Sequence, residues 1–124
     1  MNVREHVINL GLARRLKDLG VDQKSLFIWT EKTTVRLGKH YSVYYSCYNP
    51  PTQANDYCAY TASELLEIMP QDIEVKKRFD DYLVSYCDPK NDSSYKHAVD
   101  DHLSNALAKM LINLIESNLI TKEP

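Results

Sequence analysis

The stretch "DPKNDSSYKHAVDDH" gathers Asp88, Asp92, His97, Asp100, Asp101 and His102 into fifteen residues. A carboxylate and an imidazole one helical turn apart can share a divalent metal, and His97 and Asp101 would stand so if a helix began early. Aspartate and serine also belong at helix starts, where they cap free amides and complement the dipole. That reading needs no ligand and is preferred, so no metal ligand and no cofactor are expected. Cys47 with His40 supplies the residue types of a nucleophile and its base, but their spacing carries no geometry. His6 and His40 read as surface residues. No G-x-S-x-G is present, and three glycines in the whole chain do not build a phosphate-cradling loop. The expectation is a protein that is not an enzyme.

Tyrosine is the other conspicuous residue type. Tyr41, Tyr44, Tyr45, Tyr48, Tyr57 and Tyr60 crowd one short region of a chain with nine tyrosines in all. From His40 to Tyr48 the residues alternate as in a half-buried strand. Tyr41, Val43, Tyr45 and Cys47 share a core-facing side, and His40, Ser42, Tyr44, Ser46 and Tyr48 share the other. Tyrosine offers large contact area with few rotatable bonds and is enriched at interfaces. Tyr44, Tyr48 and Trp29 are therefore the candidate binding residues, with a protein as the expected partner. The alternative is single-stranded nucleic acid held by Tyr44 and Tyr48 beside Lys39 and Arg36. A small enzyme or metal-binding protein is the second alternative.

The elements that must position these residues follow from periodicity and punctuation. Ile8, Leu12, Leu16 and Leu19 recur at helical spacing and predict a helix from about Val3 to Leu19, stopped by Gly20. Arg14, Arg15 and Lys17 read as its solvated face. "SLFIWTEK" is apolar on both sides and predicts a central strand, which "TTVRLG" continues after a turn near Lys32. "NPPTQAND" is a loop. "YTASEL" opens a helix, with Thr61 and Glu64 as a capping box and Tyr60 with Leu65 as a hydrophobic staple. The two box residues should act reciprocally, so that losing Glu64 adds little once Thr61 is gone. That helix should stop at Pro70. Residues 72–87 fit either two strands with a turn at Asp80–Asp81 or one helix; β-branched and aromatic residues favour the hairpin. "DPKNDSS" reads as a loop. The final helix, about Val99 to Ser117, carries the stripe Leu103, Leu107, Met110, Leu111 and Leu114, with Asn118 as its cap and Leu119 behind it.

The sum is a single α+β domain over residues 1–124. It has three helices and a mostly antiparallel sheet of about four strands, in the order α-β-β-α-β-β-α. Fifteen basic against seventeen acidic residues leave a net charge of -2. That balance gives no general attraction to nucleic acid or an anionic membrane. The charged N-terminus predicts neither a signal peptide nor a membrane span.

Three stretches, "LKDLGVDQKSLFIW", "YTASELLEIMP" and "LSNALAKMLINLIESNLI", resemble a family of small proteins found in phages and prophages, particularly of Bacteroidetes. The likeness covers about half of the chain. It weakens between Lys32 and Asp56 and between Gln71 and Asp100. The resemblance implies a mobile-element accessory protein working in a bacterial cytoplasm. That family carries no assigned activity, so no catalytic residue comes across, and the matching positions are caps and core residues that report fold.

Cys47, Cys58 and Cys87 are odd in number and lack C-x-x-C spacing, which predicts reduced, structural thiols. All three should titrate as thiols under denaturing, non-reducing conditions, with no zinc co-purifying. A titration that finds one thiol, or stoichiometric metal by elemental analysis, would overturn this reading.

Overall fold

In the computed structural model the first helix, α1 (Leu10–Asp18), starts at Leu10 rather than near Val3. The reason is Asn9, whose side-chain Oδ1 accepts the Leu12 amide at 2.9 Å and caps the helix there. The residues just before it enter the core instead. Val7 bridges to Thr61, the Ile8 amide donates to the Tyr60 carbonyl at 3.0 Å, and both side chains are buried. Gly20 ends the helix as expected. Its φ of 85° lets its amide reach the Lys17 carbonyl while the Val21 amide reaches that of Leu16. This is a Schellman closure, and the buried Leu16 and Val21 provide the apolar contact that accompanies it.

The structure describes residues 5–21, 25–36, 38–45, 56–70, 72–88 and 91–117, with the backbone alone at residues 88 and 91–95. Strand β1 (Phe27–Thr34) is central, as its two-sided apolar character predicted. It pairs antiparallel with β2 (Gly38–Tyr45) on one side and with β3 (Tyr57–Cys58) on the other. The β1–β2 turn falls at Val35 and Arg36, not near Lys32, and Thr34 faces Gly38 across it. Gly38 takes a φ of 64°, a left-handed conformation suited to re-entering a hairpin strand.

After α2 (Ala62–Ile68), strands β4 (Ile73–Lys77), β5 (Tyr82–Asp88) and β6 (Asn91–Asp100) form a second antiparallel sheet in that order. Residues 72–87 are thus the hairpin, not the helix. Its turn is closed by the Arg78 amide on the Asp81 carbonyl at 2.8 Å and by an ion pair between their side chains. Phe79 stands exposed in that turn instead of continuing the Ile73–Val75 alternation. The larger correction is β6, which replaces both the predicted loop and the predicted start of the last helix. Its inner residue Ala98 is buried while His97 and Val99 face outward, so period-two alternation overrides the turn residues upstream. The fold is α+β with three helices, but its described strands are six, in two three-stranded sheets rather than one sheet of about four.

The last helix, α3 (Leu103–Glu116), packs on β5 and β6 and against α1 and α2. Leu107, Met110, Leu111 and Leu114 are fully buried along it and Leu103 partly so, as the stripe predicted. They join a cluster that also takes Leu16 of α1, Trp29 of β1, Leu65 of α2, and Val84 and Tyr86 of β5. Asn105, also buried, uses its Oδ1 to accept the Asn9 amide at 2.8 Å, tying α3 to the start of α1. The proposed cap at Asn118 and its neighbour Leu119 lie outside the described residues.

The capping box of α2 is present, with Thr61 N donating to Glu64 Oε1 at 2.9 Å and Glu64 N to Thr61 Oγ1 at 3.3 Å. Tyr60 and Leu65, the expected staple, are both buried. Met69, immediately before Pro70, leaves helical geometry with ψ 153°. Glu64 does more than the box requires. Its Oε1 accepts the Ser25 hydroxyl at 2.8 Å and its Oε2 the Leu26 amide at 3.0 Å. The expected reciprocity with Thr61 therefore fails, because half of the Glu64 contacts have nothing to do with Thr61. Thr61→Ala should cost about 1 kcal/mol. Glu64→Ala should cost about 2 kcal/mol, since it strands the Leu26 amide and leaves the buried Ser25 hydroxyl with the longer contact to the Ala59 carbonyl at 3.3 Å. Most of that cost should persist on the Thr61→Ala background. Denaturant melts of the singles and the double check this; a Glu64→Ala cost that vanishes beside Thr61→Ala contradicts it.

Candidate functional site

The β1–β2 register sorts the tyrosines. Trp29 faces Val43, Glu31 faces Tyr41 and Phe27 faces Tyr45 on the side toward α1. Ile28 faces Tyr44, Thr30 faces Ser42 and Lys32 faces His40 on the opposite side. Tyr41 and Val43 are partly buried against the core, in keeping with their predicted side. Tyr45 shares that side, yet it is 66 % exposed at the last position of β2, where Phe27 meets it edge-on at 6.0 Å between ring centroids.

Of the three candidate binding residues, Tyr44 is on the surface, 36 % exposed. The Lys32 ammonium lies 4.3 Å from its ring centroid. Hydrogen bonding from Lys32 draws the Tyr44 hydroxyl below the ordinary tyrosine pKa. Trp29 is a correction. It is buried, and its indole Nε1 donates to the Ile8 carbonyl at 2.9 Å, so it anchors the segment before α1 and presents no binding surface. Tyr48 lies outside the described residues, as does Cys47, and with it the pairing of Cys47 and His40. Lys39 falls on the Tyr41 side of β2, and the cation beside Tyr44 is Lys32. Only the cross-strand register reveals that partner.

The basic cluster on α1 is engaged instead of merely solvated. Arg14 stacks over Tyr41 and Tyr57, with its guanidinium 5.1 and 5.6 Å from their centroids. Lys17 sits 5.0 Å from the Tyr57 centroid and donates to the Asp56 carbonyl at 3.0 Å. Arg15 pairs with Glu116 at 2.6 Å, joining α1 to the end of α3. Two of the six crowded tyrosines therefore serve to dock α1 on the first sheet through cation–π contacts.

The aspartate–histidine stretch behaves differently from the helix its metal reading assumed. His97 lies on β6, paired with Ser85, so it is not one helical turn from Asp101. Asp100, Asp101 and His102 do converge, with potential ligand atoms within 4.8 Å of one another. Asp100 is already committed, however. Its Oδ2 pairs with Lys109 Nζ at 2.8 Å and its Oδ1 accepts the His102 amide at 3.0 Å. Burial pushes the Asp100 carboxyl up, but Lys109 and the His102 amide outweigh it and hold the pKa below the usual aspartate range. The cluster reads as the junction between β6 and α3.

Beside it lies a cavity of about 400 Å³ lined by Glu5, His6, Ala62, Tyr82, Asp101, His102, Leu103 and Ser104. No helix of the described residues is long and apolar enough to cross a membrane. Comparison with family models, curated proteins and solved structures finds no match to this chain.

The Asp100–Lys109 pair has a pH signature. A carboxyl whose folded pKa is depressed contributes stability above its unfolded pKa, and that contribution disappears as pH falls through the folded value. Wild-type stability should therefore decline from about pH 4, the ordinary aspartate value, downward. Lys109→Met should flatten that part of the acid limb. Urea melts across this range check the sign; an unchanged acid limb in the variant contradicts it.

Proposed function

We propose that this chain is a non-catalytic protein-interaction module, and that it meets its partner through the end of strand β2. The observation that carries this reading is the exposure of Tyr44 and Tyr45, adjacent residues on opposite faces of β2. Two neighbouring aromatic rings reach solvent there, one beside the charge of Lys32, and tyrosines of this kind are frequent anchors of protein interfaces. The resemblance to phage and prophage proteins supports a mobile-element origin and a bacterial cytoplasm as the place of work.

The nucleic-acid alternative loses part of its original geometry, since Lys39 lies on the face of β2 opposite to Tyr44. Tyr44 with Lys32 is a single aromatic–cation pair, where a binder of single strands uses a series of stacking platforms along a basic groove.

The test is capture of host proteins by wild type, by Tyr44→Ser/Tyr45→Ser, and by Phe79→Ser as a control for general stickiness. The double variant should stay folded, with surface changes each within about 0.5 kcal/mol. It should lose a defined partner that wild type and Phe79→Ser both retain, by about 2 kcal/mol or more in binding. Equal capture by all three proteins, or salt-sensitive retention on single-stranded DNA by wild type alone, contradicts the proposal.

A further inference from the structure

Strand β2 lies at one side of its sheet. The order is β2–β1–β3, and among the described residues no strand pairs with the outer side of β2. In an antiparallel edge strand every second residue turns its N–H and C=O away from its neighbour, so eight residues of edge present one side of a ladder. A segment of another chain can complete such a ladder by lying alongside as a further strand.

The side chains along this edge say which segment fits. Between Phe27 and Tyr45 the β1–β2 hairpin carries the cations Lys32, Arg36 and Lys39 against the single carboxylate Glu31, in a chain whose net charge is -2. It is a basic arm on an acidic body. An added strand sends alternate side chains to the two faces of the sheet, and β2 meets it with positive charge on both. Lys39 is exposed on the face toward α1, where Arg14 covers the ring of Tyr41. Lys32 lies on the other face, opposite His40 and over the ring of Tyr44. At the far end of the strand the exposed rings of Tyr44 and Tyr45 add apolar surface to each face.

The second sheet offers no edge of one sign. Strand β4 mixes Glu74 with Lys76 and Lys77, and β6 mixes Lys96 with Asp100. A second copy of β2 is the poorer match for the β2 edge, because it brings the same cations to the joint. We propose that the open edge of β2 takes up an extended acidic segment of the partner as an added strand. Its carboxylates lie beside Lys39 and Lys32, and its apolar residues lie against Tyr44 and Tyr45. This rests on the reading of the chain as an interaction module and states how the partner is held: backbone pairing gives affinity, and the cations choose the sequence.

Titrations of the full chain with short blocked peptides test this. VTITEEE and its reversal EEETITV present the acidic and apolar halves in the two possible chain directions. Controls replace each Glu by Lys, or N-methylate the Ile and the residue after it, which removes backbone donors and keeps every side chain. At least one acidic peptide should bind saturably, more tightly than its lysine counterpart, and slow hydrogen exchange at alternate β2 amides. N-methylation should weaken it by about tenfold or more. Lys39→Glu should weaken it roughly tenfold and favour the lysine counterpart, a gain that an unfolded variant could not show. No saturable binding by either acidic peptide overturns the proposal, as does affinity that N-methylation or Lys39→Glu leaves unchanged. A host protein captured through Tyr44 and Tyr45 that the bound peptide does not displace overturns the added strand alone and leaves the interaction module standing. Failure of the module itself shows separately, as equal capture by wild type and Tyr44→Ser/Tyr45→Ser.

Discussion

One carboxylate sets the relation between the two halves of this fold. Glu64 accepts from the Thr61 amide, the Ser25 hydroxyl and the Leu26 amide, so the first turn of α2 and the entrance to β1 share a single acceptor. Hydrogen bonds to an ionised acceptor are stronger than neutral ones, and donors left behind without one are costly. Next to this junction the Ile8 amide meets the Tyr60 carbonyl, Val7 bridges to Thr61, and the Ala59 amide donates to the Phe27 carbonyl. Three separate stretches of chain converge within a few residues. Because β1 is the central strand, fixing its entrance also fixes where β2 ends and therefore where Tyr44 and Tyr45 reach solvent.

The rest of the packing closes around that junction by complementary means. Trp29 reaches from β1 to the Ile8 carbonyl, and Asn105 reaches from α3 to the Asn9 amide, so the peptide unit just before α1 is held on both sides by side chains from distant elements. Arg14 and Lys17 then lay α1 over Tyr41 and Tyr57. The apolar stripe of α3 covers β5 and β6 and meets α1 and α2. The polar contacts choose the arrangement and the apolar burial stabilises it.

What could be read from the sequence was local. The capping box at Thr61 and Glu64, the Gly20 stop, the α3 stripe and the central character of β1 each rest on neighbouring residues or on one period. What could not be read depends on pairing. The strand β6 is visible only as a partner for β5, since its first half is built from residues that otherwise favour turns. The extra partners of Glu64, the burial of Trp29, and the choice of Lys32 over Lys39 beside Tyr44 all require a register that no single segment carries. The candidate site was legible to the same extent. Tyr44 was placed on the correct strand face, while the cavity at α3 needed the close approach of residues from four elements.

Amide hydrogen exchange in the unmodified protein tests the Glu64 junction most directly. If the carboxylate joins α2 to β1 as described, the Leu26 and Thr61 amides exchange only when the whole protein opens, at the same slow rate as the Leu111 amide in the middle of α3. Leu26 exchanging through local fraying, far faster than Leu111, would contradict it, and the position of β2 would then need another cause.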